Sequence, residues 1–274
     1  MKGRLVTPAT VGMGGHRRRA SKTAGAFRTA IKGEAVMKQS ELKPYVAEFV
    51  GTFFLVAFIC GLIDVWATND KGLSASDLGF LHGFLLMAIV FGVGRISGAH
   101  VNPAVTIAMW SIKKISPRDA GGYIVAQLLG GVAGAFLMKG FFTGRGDVVN
   151  YGAAHVSAAY LHGGSPWLAL IAEALGAFVL VWAIMATTVT KDASPTNAAL
   201  AIGLSLGVAV MVLGPATGGS FNPARWLGPA LASGTFPDFW LYIVGPIAGA
   251  VLAASAYQWL LGAGDESEST SIAG

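Results

Sequence analysis

Gly98-Ala99-His100-Val101-Asn102-Pro103-Ala104 returns 120 residues later as Gly218-Gly219-Ser220-Phe221-Asn222-Pro223-Ala224. Each Asn-Pro-Ala follows a long apolar run and a glycine-broken approach, through Gly94 and Gly98 in the first copy and Gly214 and Gly218 in the second. Proline inside a helix forfeits a hydrogen bond, but it suits the first helical turn, where its missing N–H has no partner to lose. Each copy therefore predicts a short helix, Asn102–Trp110 and Asn222–Leu231, entered through irregular backbone and carrying an Asn amide near its tip. Within a bilayer, irregular backbone survives only where protein buries it or where it lines a watery cavity. Two such tips in one chain are most simply a pore built twice.

The chain around them is apolar enough for a bilayer. Of 274 residues, 54% are hydrophobic and 12% charged, about half the charged fraction of a soluble domain. Apolar stretches of around 20 residues, enough to span the hydrocarbon layer, lie at Pro44–Trp66, Leu78–Ile96, Ala120–Phe142, Pro166–Val189, Thr196–Leu213 and Phe239–Leu261. The expected fold is an all-α membrane protein of six transmembrane helices and two re-entrant half-helices. Residues 1–43 form a basic tail, 44–261 the membrane domain, and 262–274 a second tail. The 38 glycines suit close helix packing in lipid. The single cysteine, Cys60, has no partner for an internal disulfide and reads as a packing residue of the first span.

Charge sets the expected orientation. Ten of the 19 Lys and Arg precede residue 44, which puts the N-terminus in the cytoplasm by the positive-inside rule. Lys113, Lys114 and Arg118 then fall on the same side, as does Lys191, while Lys71 and Arg145 fall on the other. Six spans return the acidic tail with Asp265, Glu266 and Glu268 to the cytoplasm. The chain reads as a multi-pass integral protein of the cell (plasma) membrane. The first 43 residues have no acid before Glu34 and read as disordered. They lack the apolar core of an ordinary cleaved signal peptide. Their composition fits an organellar transit peptide or, more plainly, a cytoplasmic tail lying on anionic lipid. Arg18-Arg19-Ala20-Ser21 suits a basic-directed kinase acting on Ser21, though so short a pattern also arises by chance.

From Pro44 the chain repeats itself. Ala47-Glu48-Phe49-Val50-Gly51-Thr52-Phe53 in the first span matches Ala172-Glu173-Ala174-Leu175-Gly176-Ala177-Phe178 in the fourth, and Gly130 and Gly134 correspond to Gly249 and Ala253. Repeat one covers residues 44–142 and repeat two 166–261, each with three spans and one half-helix; Thr143–Gly164 joins them. An odd number of crossings forces the halves into opposite orientations. The half-helices then enter from opposite faces and meet near the midplane.

A helix N-terminus exposes unpaired N–H groups and carries about half a positive charge. Two of them facing one point make a positive potential maximum, to which Asn102 and Asn222 add amide donors that a passing water oxygen can accept. A water held this way points its hydrogens outward, interrupting any proton-relaying wire, while cations are repelled. The alternative role, each Asn merely capping its helix, suits one copy better than two in register.

The paired Asn-Pro-Ala boxes, the Ala-Glu-x-x-Gly-x-Phe span starts and the inverted repeat resemble the aquaporins (major intrinsic proteins) over residues 44–261. The resemblance implies a right-handed bundle of six helices and two half-helices, assembled as a homotetramer with one pore per subunit. It implies that Arg225, three residues after Asn222, forms one wall of an outer selectivity constriction. The other walls fall on His82, Val210 and Gly219. A His with an aliphatic residue, Gly and Arg is similar to tonoplast-type channels, which pass water and often ammonia or urea. Val210 and Gly219 remove bulk, and His82 and Arg225 are expected to offer donors. The alternative for His82 is a satisfied core histidine, and for Arg225 a side chain snorkelling to the surface.

Glu48 and Glu173 are acids at mirrored positions inside spans. A proton relay is one reading of intramembrane carboxylates; their matched placement favours bracing the irregular backbone before each Asn-Pro-Ala, with Gln127 in a similar role. His100 and Ser220 are expected to hydrogen-bond the re-entrant loops. His155 and His162 fall in the connecting loop, as solvated side chains or, for one of them, at the mouth, assisting ammonium deprotonation. Trp226 and Ile243 depart from the residues the resemblance leads one to expect. With no phosphate loop, metal-ligand cluster or Ser-His-Asp arrangement, the chain reads as no enzyme, with no cofactor, metal or nucleic-acid partner. Its expected partners are water, small neutral solutes, lipid and copies of itself. A glycerol facilitator is the alternative within the family, disfavoured by His82 and by Trp226 where such channels carry Asp. A coupled secondary transporter is the alternative outside it.

Overall fold

The computed structural model describes the backbone of residues 39–66, 72–189 and 195–271. Residues 1–38 of the basic tail, Ser21 among them, lie outside these residues, as do Lys71, Lys191 and the side chains of Asp265, Glu266 and Glu268, whereas 39–43 are helical. Six helices have the length and hydropathy to cross a membrane. They are α1 (Gln39–Trp66), α2 (Ala75–Ser97), α4 (Pro117–Phe141), α6 (Pro166–Ile184, extended by a π-helical turn Met185–Val189), α7 (Pro195–Thr217) and α9 (Leu241–Ser271). Between them lie the half-helices α3 (Pro103–Ser111) and α8 (Pro223–Ser233), and a short helix α5 (Arg145–Val148) in the connecting loop. The six-span, two-half-helix expectation holds.

Boundaries differ where sequence punctuation is weak. Helix α1 begins at Gln39 with Pro44 inside it, since a proline near a helix start removes only one bond from the ladder. Helix α9 runs to Ser271, past the tail boundary suggested at residue 262. Gly262 and Gly264 are weak breakers, costing about 1 kcal/mol each against about 3 for proline.

The half-helices form because Asn and Pro together start a helix cleanly. Asn102 and Asn222 are extended N-caps (φ −156° and −153°) and the prolines take the first helical position. Upstream, α2 ends on Gly98 at φ 87°, whose N–H bonds to Gly94 O at 2.9 Å; α7 ends on Gly218 at φ 82°, bonded to Gly214 O at 2.7 Å. The glycine-broken approaches are thus left-handed C-caps. Helix α3 packs on α4 and α9, and α8 packs on α4.

The halves meet through α2 and α7, whose backbones touch at glycines. A Cβ added at Gly83 would lie 2.8 Å from Gly203 O, and one at Gly207 would lie 2.9 Å from Gly79 O. Gly79-x-x-x-Gly83 and Gly203-x-x-x-Gly207 are small-residue stripes of the kind that lets membrane helices approach without side chains between them. Cys60 is buried against Val56, Ala135 and Tyr151, a packing position.

Candidate functional site

The re-entrant segments would not hold their shape unaided. Ala99 (φ 50°), Val101 (φ 41°) and Phe221 (φ 50°) are left-handed without being glycine, a cost of about 1–2 kcal/mol each. What holds them is a buried carboxylate in each half. Glu48 accepts the N–H groups of His100 (2.9 Å) and Val101 (2.6 Å) and the Ser97 hydroxyl (2.6 Å). Glu173 accepts the N–H groups of Ser220 (3.0 Å) and Phe221 (2.7 Å) and the Thr217 hydroxyl (2.7 Å). Gln127 Nε2 donates to Glu48 at 2.7 Å and to Thr106 Oγ1 at 2.9 Å. Repeat two carries Pro246 in that register and has no such amide. His100 Nδ1 pairs with Thr106 Oγ1 at 3.1 Å, and Ser220 Oγ donates to Asn222 O at 2.9 Å.

Several contributors escaped the sequence reading. Tyr123 OH donates to Ser97 O at 2.8 Å, and Tyr242 OH donates to Thr217 O at 2.9 Å, each fixing the end of the helix that feeds a half-helix. The same repeat offset that pairs Gly130 with Gly249 pairs Tyr123 with Tyr242, so the signal was present. Trp226 turns away from the cavities: it is buried and stacked on Tyr242, with centroids 6.2 Å apart. Ile243 is partly exposed on the outer surface of the bundle, in a groove with Val244 and Leu252.

At the centre the two asparagines are joined. Asn102 Nδ2 donates to Phe221 O and Asn222 Nδ2 to Val101 O, both at 2.9 Å. Their Oδ1 atoms accept from Ala104 N and Ala224 N, also at 2.9 Å. Capping and bridging thus use different atoms of one amide. An amide nitrogen carries two N–H bonds, so each Asn keeps one donor beyond its bridge, and both residues line the central cavity.

That cavity, about 20 Å³, runs past Leu206, Val105, Ser220 and the two Asn. A water needs about 10–15 Å³, so the cavity has room for a water beside the two amides. Toward the connecting loop lies a second cavity of about 480 Å³, bordered by Val210, Gly218, Gly152 and His155. Two side chains border both cavities, His82 and Arg225.

Arg225 is 3% exposed. Its Nη1 donates to Gly152 O at 2.9 Å and its Nη2 to Gly218 O at 3.4 Å, while Nε has no hydrogen-bond partner among the described residues. Those bonds run to main-chain carbonyls, so the guanidinium is fixed in place with its charge intact. His82 bonds Leu78 O through Nδ1 at 2.7 Å. A carbonyl only accepts, so Nδ1 carries a proton, and in the neutral ring the unpartnered Nε2 offers a lone pair. The expectation that both residues offer donors therefore changes: Arg225 donates and His82 accepts.

Gly219 lines neither cavity. A Cβ there would lie 3.1 Å from Gly214 Cα and 3.6 Å from Val210 Cγ2, so it stands behind Val210, and Gly218 borders the opening. His162 is exposed on the loop. Among the described residues no group of His, Cys, Asp and Glu is arranged to hold a metal ion.

Residues 35–257 match the family described as Major intrinsic protein. The chain is 37% identical over 245 residues to aquaporin AqpM of Methanothermobacter marburgensis, covering 80% of this chain and 97% of that one. It is 34% identical over 217 residues to aquaporin NIP1-1 of Zea mays, covering 79% and 74%. The fold is similar to the X-ray structure of the aquaglyceroporin from Plasmodium falciparum, with a TM-score of 0.68 at 24% identity over 79% of this chain and 95% of that one.

Proposed function

The chain belongs to the major intrinsic protein family, and on that premise we propose that it is a passive transmembrane channel for water and small neutral solutes, ammonia and urea among them, that excludes protons and ions. The observation that carries this reading is that His82 and Arg225 stand where a cavity of about 480 Å³ toward the connecting loop adjoins one of about 20 Å³ lined by Asn102 and Asn222. His82, Val210 and Arg225 form the selective constriction, while Gly219 stands behind Val210 rather than in the wall. Asn102-Pro103-Ala104 and Asn222-Pro223-Ala224 form the midpoint of the pore. There the spare amide donors and the two helix N-termini hold a water by its oxygen, so a proton wire is broken and cations meet positive potential.

The donor–acceptor pair at the constriction favours a solute that can both donate and accept. Ammonia does both, as does urea, whereas a cation would have to shed its water beside an unpaired guanidinium. Glu48, Glu173, Gln127, His100 and Ser220 act structurally, by holding the strained approaches. Arg95, Lys113, Lys114 and Arg118 lie around the half-helix α3 end of the bundle, which supports an inward-facing α3 end and cytoplasmic termini. Exposed apolar side chains such as Phe54, Phe58, Val244 and Leu252 suit contact with lipid or with sister subunits of a homotetramer in the plasma membrane.

Stopped-flow permeabilities of the purified protein in proteoliposomes test the proposal. Water and ammonia are expected to pass fastest, urea more slowly and glycerol least. Glycerol passing faster than urea would turn the reading toward a glycerol facilitator.

A further inference from the structure

The guanidinium of Arg225 is held chiefly by one carbonyl, that of Gly152, and Gly152 belongs to the connecting loop rather than to either repeat. The direction of that carbonyl is set by an uncommon run of backbone. Asn150 (φ 49°), Tyr151 (φ 51°) and Gly152 (φ 72°) are three successive left-handed residues, two of them not glycine. Such a run persists only where its surroundings hold it.

What holds it is the side chain of Tyr151. It is 1% exposed and packed among Val56, Cys60, Ala135 and Ala232, which come from α1, α4 and α8. The Lys139 ammonium stands 5.2 Å from its ring centroid, within cation–π range. Its hydroxyl donates to Asp147 Oδ1 at 2.8 Å, and Asp147 Oδ2 in turn accepts the N–H of Gly144 at 3.2 Å. Burial, with the Asp147 bond second, pushes the phenol up to about 12, so it remains a donor at any working pH. Gly146 gives the ring its room: a Cβ there would come within 3.0 Å of ring atom Cζ.

We propose that Tyr151, locked by Asp147, is a positioning residue for solute selection: it fixes the left-handed turn that aims the Gly152 carbonyl at Arg225. This rests on the reading of Arg225 as a wall of the constriction. A ring that merely fills the core would need neither its hydroxyl nor a partner on the exposed rim of the loop.

The test uses the full-length protein in proteoliposomes and reads the ratio of urea to water permeability. Tyr151→Phe keeps the ring and removes the bond; the ratio is expected to rise about tenfold, near the lower end of what a hydrogen bond to a charged group spans. Asp147→Ala, on the exposed rim, should reproduce the rise, while Asp147→Asn, which keeps an acceptor oxygen, should restore a ratio near that of the unaltered protein. On an Arg225→Ala background, Tyr151→Phe should add nothing, because the residue through which it acts is gone. An unchanged ratio in both Tyr151→Phe and Asp147→Ala, or an equal rise with and without Arg225, overturns the proposal. If Arg225→Ala itself leaves the ratio unchanged, the constriction reading falls, and the proposal falls with it.

Discussion

Among the described residues Arg225 bonds main-chain carbonyls rather than a carboxylate, which leaves its charge uncompensated, and it is placed where two cavities meet. Arg225→Ala removes both the charge and the bulk. Urea and glycerol permeability are expected to rise about tenfold or more, with a measurable proton leak in vesicles carrying a pH-sensitive dye. His82 borders the same two cavities as Arg225, and Val210 borders the larger of them. His82→Phe with Val210→His replaces the lone-pair acceptor by an apolar ring and puts a polar ring across from it. The double variant is expected to pass water while losing most ammonia flux, read by stopped flow on the same vesicles. Persistent ammonia conductance would assign selection to other residues.

Among the elements, α2 and α7 matter most for this geometry because each carries one wall: His82 on α2 and Val210 on α7. Their separation is set by the glycine contacts next to these walls. Gly83→Ala would put a methyl 2.8 Å from Gly203 O. Overpacking of this kind typically costs about 1–3 kcal/mol, and the helices must part to accept it. Thermal unfolding in detergent is expected at lower temperature, together with a raised urea-to-water ratio. Stability lost without a change in selectivity would show that the walls do not follow the helix spacing. The half-helices behave differently: their positions depend less on helix packing than on Glu48 and Glu173, which satisfy backbone donors that lipid cannot.

For the molecule as a whole, the two repeats are pinned to each other. The reciprocal Asn102–Phe221 and Asn222–Val101 bonds and the glycine contacts between α2 and α7 would have to break for the halves to rock. Alternating access needs such rocking, which argues against a coupled transporter. Solute flux is accordingly expected to rise linearly with concentration and to ignore sodium and pH gradients. Accumulation of urea or ammonia against its own gradient would contradict this.

Much of this was legible in the residues. Hydropathy marked the six spans, because a span must satisfy its backbone internally and exclude charge. The doubled Asn-Pro-Ala and the matched Glu48 and Glu173 marked an inverted repeat with two half-helices, because proline after asparagine admits little else in lipid. Helix ends were less legible, since glycine and early proline are weak stops, as α9 and α1 illustrate.

What the chain could not disclose by itself is contact between residues remote in sequence. That Asn102 and Asn222 bond each other's loops, that His82 presents a lone pair rather than a proton, that Gly218 and not Gly219 borders the opening, and that Gly152 holds Arg225 all follow from how helices pack. Composition and local periodicity determine which segments form and which faces are apolar. Which carbonyl meets which side chain across the bundle is decided only when the segments are assembled, because hydrogen bonds depend on tenths of an ångström that no single segment encodes.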